Sequence, residues 1–196
     1  MSSIASAPRR IVLADLIPGA IVRDIGLIVA GAGITGLAAQ ISIHTSITPV
    51  PFTLQTLAVL LVGAALGTVR GLTSMLVYLA AGSLGVPWFA NHTHGWAGNA
   101  SFGYIIGFVV AAGIVGELAR RGNDRSVLST VGLLALGDAI LLTIGTVWLS
   151  YDLGVPTSKA IEYGVTPFLV GEAIKIALAA IALPATWRLV GRSSKA

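Results

Sequence analysis

Six apolar stretches, parted by short polar breaks, constrain this chain of 196 residues more than anything else in it. They fall at residues 25–43, 53–66, 72–84, 104–119, 127–149 and 168–189. A helix that crosses a bilayer needs about 20 mostly apolar residues. The second and third stretches are short and separated only by GTVRG, so they read as tight, tilted spans. Charged residues make up 10% of the chain, where a soluble domain carries roughly 25%. Such a chain cannot cover its own surface with polar groups in water; in lipid it has no need to. The expected fold is all-α: a polytopic membrane protein with six transmembrane helices in one compact bundle. An N-terminal segment, 1–22, precedes a membrane domain at 23–190, and a tail follows at 191–196.

The basic residues orient the bundle. Of the twelve Lys and Arg, ten lie in polar breaks or near the chain ends. Arg9, Arg10 and Arg23 precede the first stretch, and Arg70 lies between the second and third. Arg120, Arg121 and Arg125 lie between the fourth and fifth, and Arg188, Arg192 and Lys195 close the chain. With six spans all ten fall on one side, which the positive-inside rule makes the cytoplasm. Both termini are then cytoplasmic. The same placement argues against reading the net charge of +4 as a nucleic-acid face. The early apolar run IVLADLIPGAIV is broken by Asp15 and Pro18 and does not read as a signal peptide.

Several chemistries are set aside. There is no cysteine, hence no disulfide and no thiolate metal site. Neither a Walker A loop nor a GxSxG elbow occurs. GAGITG resembles a dinucleotide fingerprint but lies inside an apolar span with no strand before it. NHT and NAS match the glycosylation sequon and read as chance.

The opposite side carries HTSITPVPF, GVPWFANHTHGWAGNASFG and SYDLGVPTSKAIEYGVTP. These connections hold all three histidines and five of the eight prolines. Long loops rich in Pro and aromatics commonly cover binding sites. Trp96, Trp148 and Tyr151 read more simply as anchors at the membrane interface.

Three ionisable residues interrupt the spans. Glu172 and Lys175, in GEAIKIAL, are spaced i,i+3 and share a helix face just below the outer loops. An ion pair that fixes helix packing and a ligand-facing pair are both compatible with that spacing. The cost of charge in a bilayer, about 2.5–3.5 kcal/mol per residue at mid-membrane, favours the functional role. Asp138, in GLLALGDAILL, sits near the middle of the fifth span. Pairing with Lys175, capping a cavity and carrying a proton all remain open for it. His92 and His94 form an HxH motif, with His44 on another outer loop, but two histidines alone do not make a metal site. Small residues crowd the first span; Gly26/Ala30 and Ala32/Gly36 are spaced to let another helix approach closely. That helix belongs either to the same bundle or to a partner.

The stretch ISIHTSITPVPFTLQTLAVLLVGAALGTVRG resembles the first loop and second helix of the BioY family, the biotin-specific substrate-binding (S) components of energy-coupling factor (ECF) transporters. YLAAGSLGVPWFA, FGYIIGF and FLVGEAIKIALAA continue the likeness in order, over roughly residues 25–182. The resemblance implies a bundle holding the vitamin near its outer face, and a binding protein that is not an enzyme. It implies a transmembrane coupling subunit and two cytoplasmic ATPases as partners, no cofactor, and a bacterial plasma membrane.

Biotin presents two ureido N–H donors, one carbonyl acceptor, an apolar fused ring and a carboxylate tail. A matching pocket offers a carboxylate to the N–H groups and an ammonium to the carbonyl. Glu172 and Lys175 supply that pair, with Glu172 standing where the family usually shows Asp. By the same resemblance Asn91 helps hold the ureido group, Gln55 matches the TLQ position and Tyr104 flanks the ligand. Trp88 and Phe89 either wall the ring or simply pack, and NHTHGW departs from the glycine-rich loop of the family, which leaves His92 or His94 as a candidate to meet the tail. The small residues Gly26, Ala30, Ala32 and Gly36 become the candidate docking face for a partner. Two other readings stand beside this one: an S component for a different small vitamin, and an intramembrane metal-dependent hydrolase built on His92 or His94 with Glu172.

Overall fold

The computed structural model describes residues 11–96 and 98–193, side chains of 191–193 excepted. Arg9, Arg10, Lys195 and the side chain of Arg192 therefore lie outside the described residues. The described chain forms helices α1 (Ile21–Gln40), α2 (Gln55–Ser83), α3 (Phe102–Arg120), α4 (Val127–Leu153), α5 (Thr157–Gly164) and α6 (Leu169–Ser193). Five of these, all but α5, are long and apolar enough to cross a membrane.

The second and third apolar stretches merge into α2, yet α2 is not a rod. Gly67 sits at φ 81°, ψ −178°, a backbone conformation open to glycine and costly for other residues. Gln55 Nε2 donates to Tyr78 Oη at 2.7 Å across 23 residues, which a straight helix would hold roughly 34 Å apart. The helix therefore doubles back at Gly67. Its limbs, 55–66 and 68–83, correspond to the two short stretches of the sequence. Small residues permit the reversal and the crossing beside it. A Cβ on Gly71 would lie 3.0 Å from the Cα of Gly63, and one on Gly63 would lie 2.8 Å from the carbonyl oxygen of Ala112 in α3. Backbones in apolar bundles approach this closely only where side chains are absent.

Serine and glycine set the ends of α4. The side chain of Ser126 accepts from the Ser129 N–H at the N-terminus, and Gly154 takes a left-handed conformation at the C-terminus. Tyr78, Phe89, Met75, Leu134 and Leu141 fill the core. Ile25, Val29 and Leu37 of α1, with Val170, Ile174, Leu178 and Ile181 of α6, leave apolar side chains on the outside.

The all-α expectation needs one amendment. The loop between α1 and α2 is a β-hairpin, β1 (Ser42–Thr45) against β2 (Thr48–Thr53), antiparallel, with Ser42 opposite Thr53 and Ile43 opposite Phe52. The connection from α4 to α6 contains α5, tied to that hairpin by Thr48 Oγ1 donating to the Tyr163 carbonyl at 2.7 Å.

At the arginine-bearing end, the segment expected to precede the membrane domain packs into it. The 3-10 turn Leu13–Leu16 buries Ala14, and the buried Val12 just before it packs on the reversal at Gly67. Arg70 pairs with Asp15 at 2.9 Å and with Asp24 at 3.0 Å. Burial pushes the Asp15 carboxyl upward. The Val12 N–H, the Arg70 hydrogen bond and the charges of Arg70 and Arg23 together outweigh it and hold the group below the usual carboxylate range. A depressed carboxyl stabilises the fold above its unfolded pKa, and that contribution is lost as pH falls through the folded value. Acidification below about pH 4 should therefore release this strap. Hydrogen-exchange protection of residues 12–16 is expected to fall there while α3 stays protected, and Asp15→Asn should abolish the pH dependence. Unchanged strap protection in acid would contradict the assignment.

Candidate ligand-binding site

A cavity of about 540 Å³ opens at the end opposite the arginines, under the β-hairpin and the loop between α2 and α3. Its size falls in the roughly 300–1,000 Å³ range of small-molecule sites. The walls are largely aromatic and aliphatic: Phe89, Phe108, Phe168, Tyr104, Ile105 and Leu142. Phe52 backs Phe168 with ring centroids 4.6 Å apart. Polar groups converge from three sides, with Gln55 and Thr56 on α2, Asn91 on the loop between α2 and α3 and Glu172 on α6.

Glu172 is 3% exposed. It enters the membrane domain in the first turn of α6, where the free backbone N–H groups of the helix favour negative charge. Lys175 Nζ reaches it at 2.7 Å. The ammonium also donates to the Thr53 carbonyl at 2.7 Å and to Thr56 Oγ1 at 2.8 Å, so all three of its donors are engaged. Thr56 Oγ1 in turn lies 2.9 and 2.8 Å from the two oxygens of Glu172. The carboxylate thus faces the cavity, and the lysine stands behind it without lining the wall.

The other expected residues divide in the same way. Gln55 lines the cavity at the start of α2, with its amide N–H on Tyr78 and its carbonyl near Thr53 Oγ1 at 3.3 Å. Tyr104 lines it while donating to the Gly164 carbonyl at 2.8 Å. Phe89, 1% exposed, forms part of the wall. Trp88 does not: it packs on Gly36 of α1, and its indole N–H donates to the Tyr78 carbonyl at 2.9 Å. His94 and His44 line the cavity and His92 does not.

Asn91 sits at the mouth in a left-handed conformation, φ 58°, with His92 at φ 57° beside it. Asparagine enters this region more readily than other non-glycine residues. Its Oδ1 accepts from Ser42 Oγ at 2.8 Å, and its Nδ2 lies 2.9 Å from His44 Nε2, so the side chain ties this loop to β1. Gln40, at the end of α1, fixes the same loop from below. Its Oε1 accepts from the His92 N–H at 3.1 Å, and its Nε2 donates to the carbonyls of Trp88 and Phe89 at 3.1 and 3.2 Å. Gln40 and Thr56 escape a reading of the sequence because their partners are distant in the chain. Among the described residues, no group of three or more His, Asp or Glu side chains is placed to hold a metal.

The four small residues of α1 do not share a face. Gly26 and Ala30 are exposed, and a Cβ on Gly26 would meet nothing within 4 Å. Ala32 and Gly36 are buried, and a Cβ on Gly36 would lie 3.4 Å from the Trp88 ring. The i,i+4 spacing is the same in both pairs, but only the first is free to meet another helix.

Comparison with known proteins agrees with this architecture. A family model described as the BioY family matches residues 7–192. A probable biotin transporter BioY from Pyrococcus horikoshii is 38% identical over 161 residues, 81% of this chain and 93% of that protein. The biotin transporter BioY2 of Lactococcus lactis is 35% identical over 172 residues, 86% of this chain and 92% of that protein. A solved structure, described as the crystal structure at 2.1 Å of the S-component for biotin from an ECF-type ABC transporter, superposes with a TM-score of 0.77. It covers 85% of this chain and 92% of its own at 21% identity, a likeness that speaks to the fold.

Proposed function

The chain belongs to the BioY family, and from that premise we propose that it captures biotin as the substrate-binding subunit of an ECF-type vitamin transporter. It is a multi-pass membrane protein that binds and carries its ligand rather than an enzyme that transforms it. The observation that carries the reading is the Glu172 carboxylate. It is anchored by Lys175 and Thr56, and it faces an aromatic cavity of vitamin size. A ureido ring offers two N–H groups to such an acceptor, and charge-assisted bonds of this type are about twice as strong as neutral ones. Phe89, Phe108 and Phe168 suit the apolar fused ring, while Asn91 and Gln55 supply amides at the rim and floor. Lys175, with its donors engaged on protein groups, acts through Glu172.

The two limbs of α2, taken with α1, α3, α4 and α6, give six crossings, with both termini in the cytoplasm of a bacterial cell. Supporting this, Arg23, Arg70 and Arg125 gather at the end opposite the cavity, Arg125 lying over the Trp187 ring at 4.6 Å. Transport then draws its energy from a transmembrane coupling subunit and two cytoplasmic ATPases. Gly26 and Ala30 offer the α1 face on which the coupling subunit docks.

Isothermal titration of the purified chain with biotin, desthiobiotin, thiamine and riboflavin tests the ligand directly. Biotin should bind tightest, with desthiobiotin next because it keeps the ureido ring. Preferential binding of thiamine or riboflavin would replace biotin as the substrate.

A further inference from the structure

Asp138 is a buried charge-bearing group in the apolar interior that the cavity does not use. It lies on α4 one turn below Leu142, which does line the cavity, and it is 6% exposed. Its carboxyl sits against Glu172 and within electrostatic reach of Lys175; these are the charged groups that act on it among the described residues. Its Oδ1 is enclosed and has no hydrogen-bond partner. Lys175 has no donor left for it, since Thr53, Thr56 and Glu172 take all three. From α2, the neighbouring group in the cluster is the Thr56 hydroxyl, which does not titrate in this range.

The charge count then becomes decisive. Glu172 is matched by Lys175, so a second carboxylate on Asp138 would be an unmatched anion facing a like charge, away from water. Buried polar atoms without partners are rare and call for an explanation. One hydrogen resolves both problems: it makes the cluster of two carboxyls and one ammonium neutral, and it turns Asp138 into an O–H donor.

We propose that Asp138 is a positioning residue for the ligand site: as a neutral acid it donates to Glu172, fixing the carboxylate that faces the cavity, so that loss of its hydrogen weakens ligand capture. This rests on Glu172 being the acceptor for the ligand. It also makes capture proton-linked, with affinity falling as pH rises, because the state that binds is the one holding the hydrogen.

The test is biotin titration calorimetry on the full-length wild type, Asp138→Asn and Asp138→Leu, between about pH 6 and 9.5. Asparagine keeps the shape and an N–H donor but cannot ionise. The wild type should lose up to about tenfold in affinity per pH unit on the alkaline limb. Asp138→Asn should bind within about threefold of the wild type at the acid end and stay flat on that limb, and Asp138→Leu, which has no donor, should bind more weakly than Asp138→Asn at every pH. His44 and His94 line the cavity in all three proteins, so any contribution from them cancels in the comparison. An alkaline limb that is flat in the wild type, or that persists unchanged in Asp138→Asn, would overturn the inference. An Asp138→Leu affinity equal to that of the wild type at the acid end would overturn it as well, and thermal melting of that variant separates misfolding from lost positioning. Absence of biotin binding by the wild type at any pH would instead overturn the biotin reading itself.

Discussion

Replacing Glu172 with alanine is expected to abolish measurable biotin capture under ordinary assay conditions. The carboxylate is 3% exposed and shares Lys175 and Thr56 in one hydrogen-bonded cluster. Truncating one partner of a buried charge pair costs about 2–5 kcal/mol, largely because the other charge is left unpaired. At 1.4 kcal/mol per decade this is roughly a 30- to 4,000-fold loss of affinity, to which the lost ligand contact adds. Two effects are mixed in that loss, and a second variant separates them. Changing both Glu172 and Lys175 to leucine removes the orphaned ammonium, so melting temperature should recover toward the wild type. Biotin binding should not recover. If the double variant regains binding, the pair is scaffold and the ligand is recognised elsewhere.

The second large effect belongs to the fold. Gly116→Val should prevent the normal bundle from forming, because a Cβ at Gly116 would lie 2.5 Å from the carbonyl carbon of Gly67 and 2.6 Å from the Thr68 nitrogen. Both are backbone atoms at the reversal of α2 and cannot rotate aside. Overpacking costs typically 1–3 kcal/mol where side chains can adjust, and more where they cannot. The expected result is a large fall in melting temperature and in folded yield from detergent. Gly132 on α4 is the matched control, since a Cβ there meets nothing within 4 Å. Gly132→Val should fold normally. A Gly116 variant that melts like the wild type would mean that α3 does not cross the reversal as described.

How much of this was legible in the sequence depends on whether a signal is local. The apolar stretches and the arginine breaks are local, and the helices follow them closely: α3 begins and ends within two residues of its stretch. The GTVRG break is local too, and its first glycine, Gly67, is the point of reversal. The β-hairpin was not legible. β2 reads TPVPFT, with prolines that argue against an interior strand, and it forms because β1 pairs along it. Ligand-site residues divide by the same criterion. The i,i+3 spacing puts Glu172 and Lys175 on one face, but it does not say which of them reaches the cavity. That is decided by Thr53 and Thr56, which hold the ammonium back from 122 and 119 residues away. Gly26/Ala30 and Ala32/Gly36 make the same point. Spacing shows that each pair shares a face, but the location of Trp88 and the α2 limbs decides which pair is covered.

The strap at the arginine-bearing end is a third case. Residues 12–16 carry Asp15 and precede the first span, so in sequence they look detached. Val12 is 1% exposed nonetheless, because Gly67 leaves a recess that its side chain fills. The recess exists only once α2 has doubled back.

The most direct test of the account is an experimental structure of the biotin-loaded protein, read at one distance. Glu172 should place a carboxylate oxygen within about 2.7–2.9 Å of a ureido nitrogen, with Lys175 still bonded to Glu172 behind it. A loaded structure in which the ureido ring lies away from Glu172 would contradict the account.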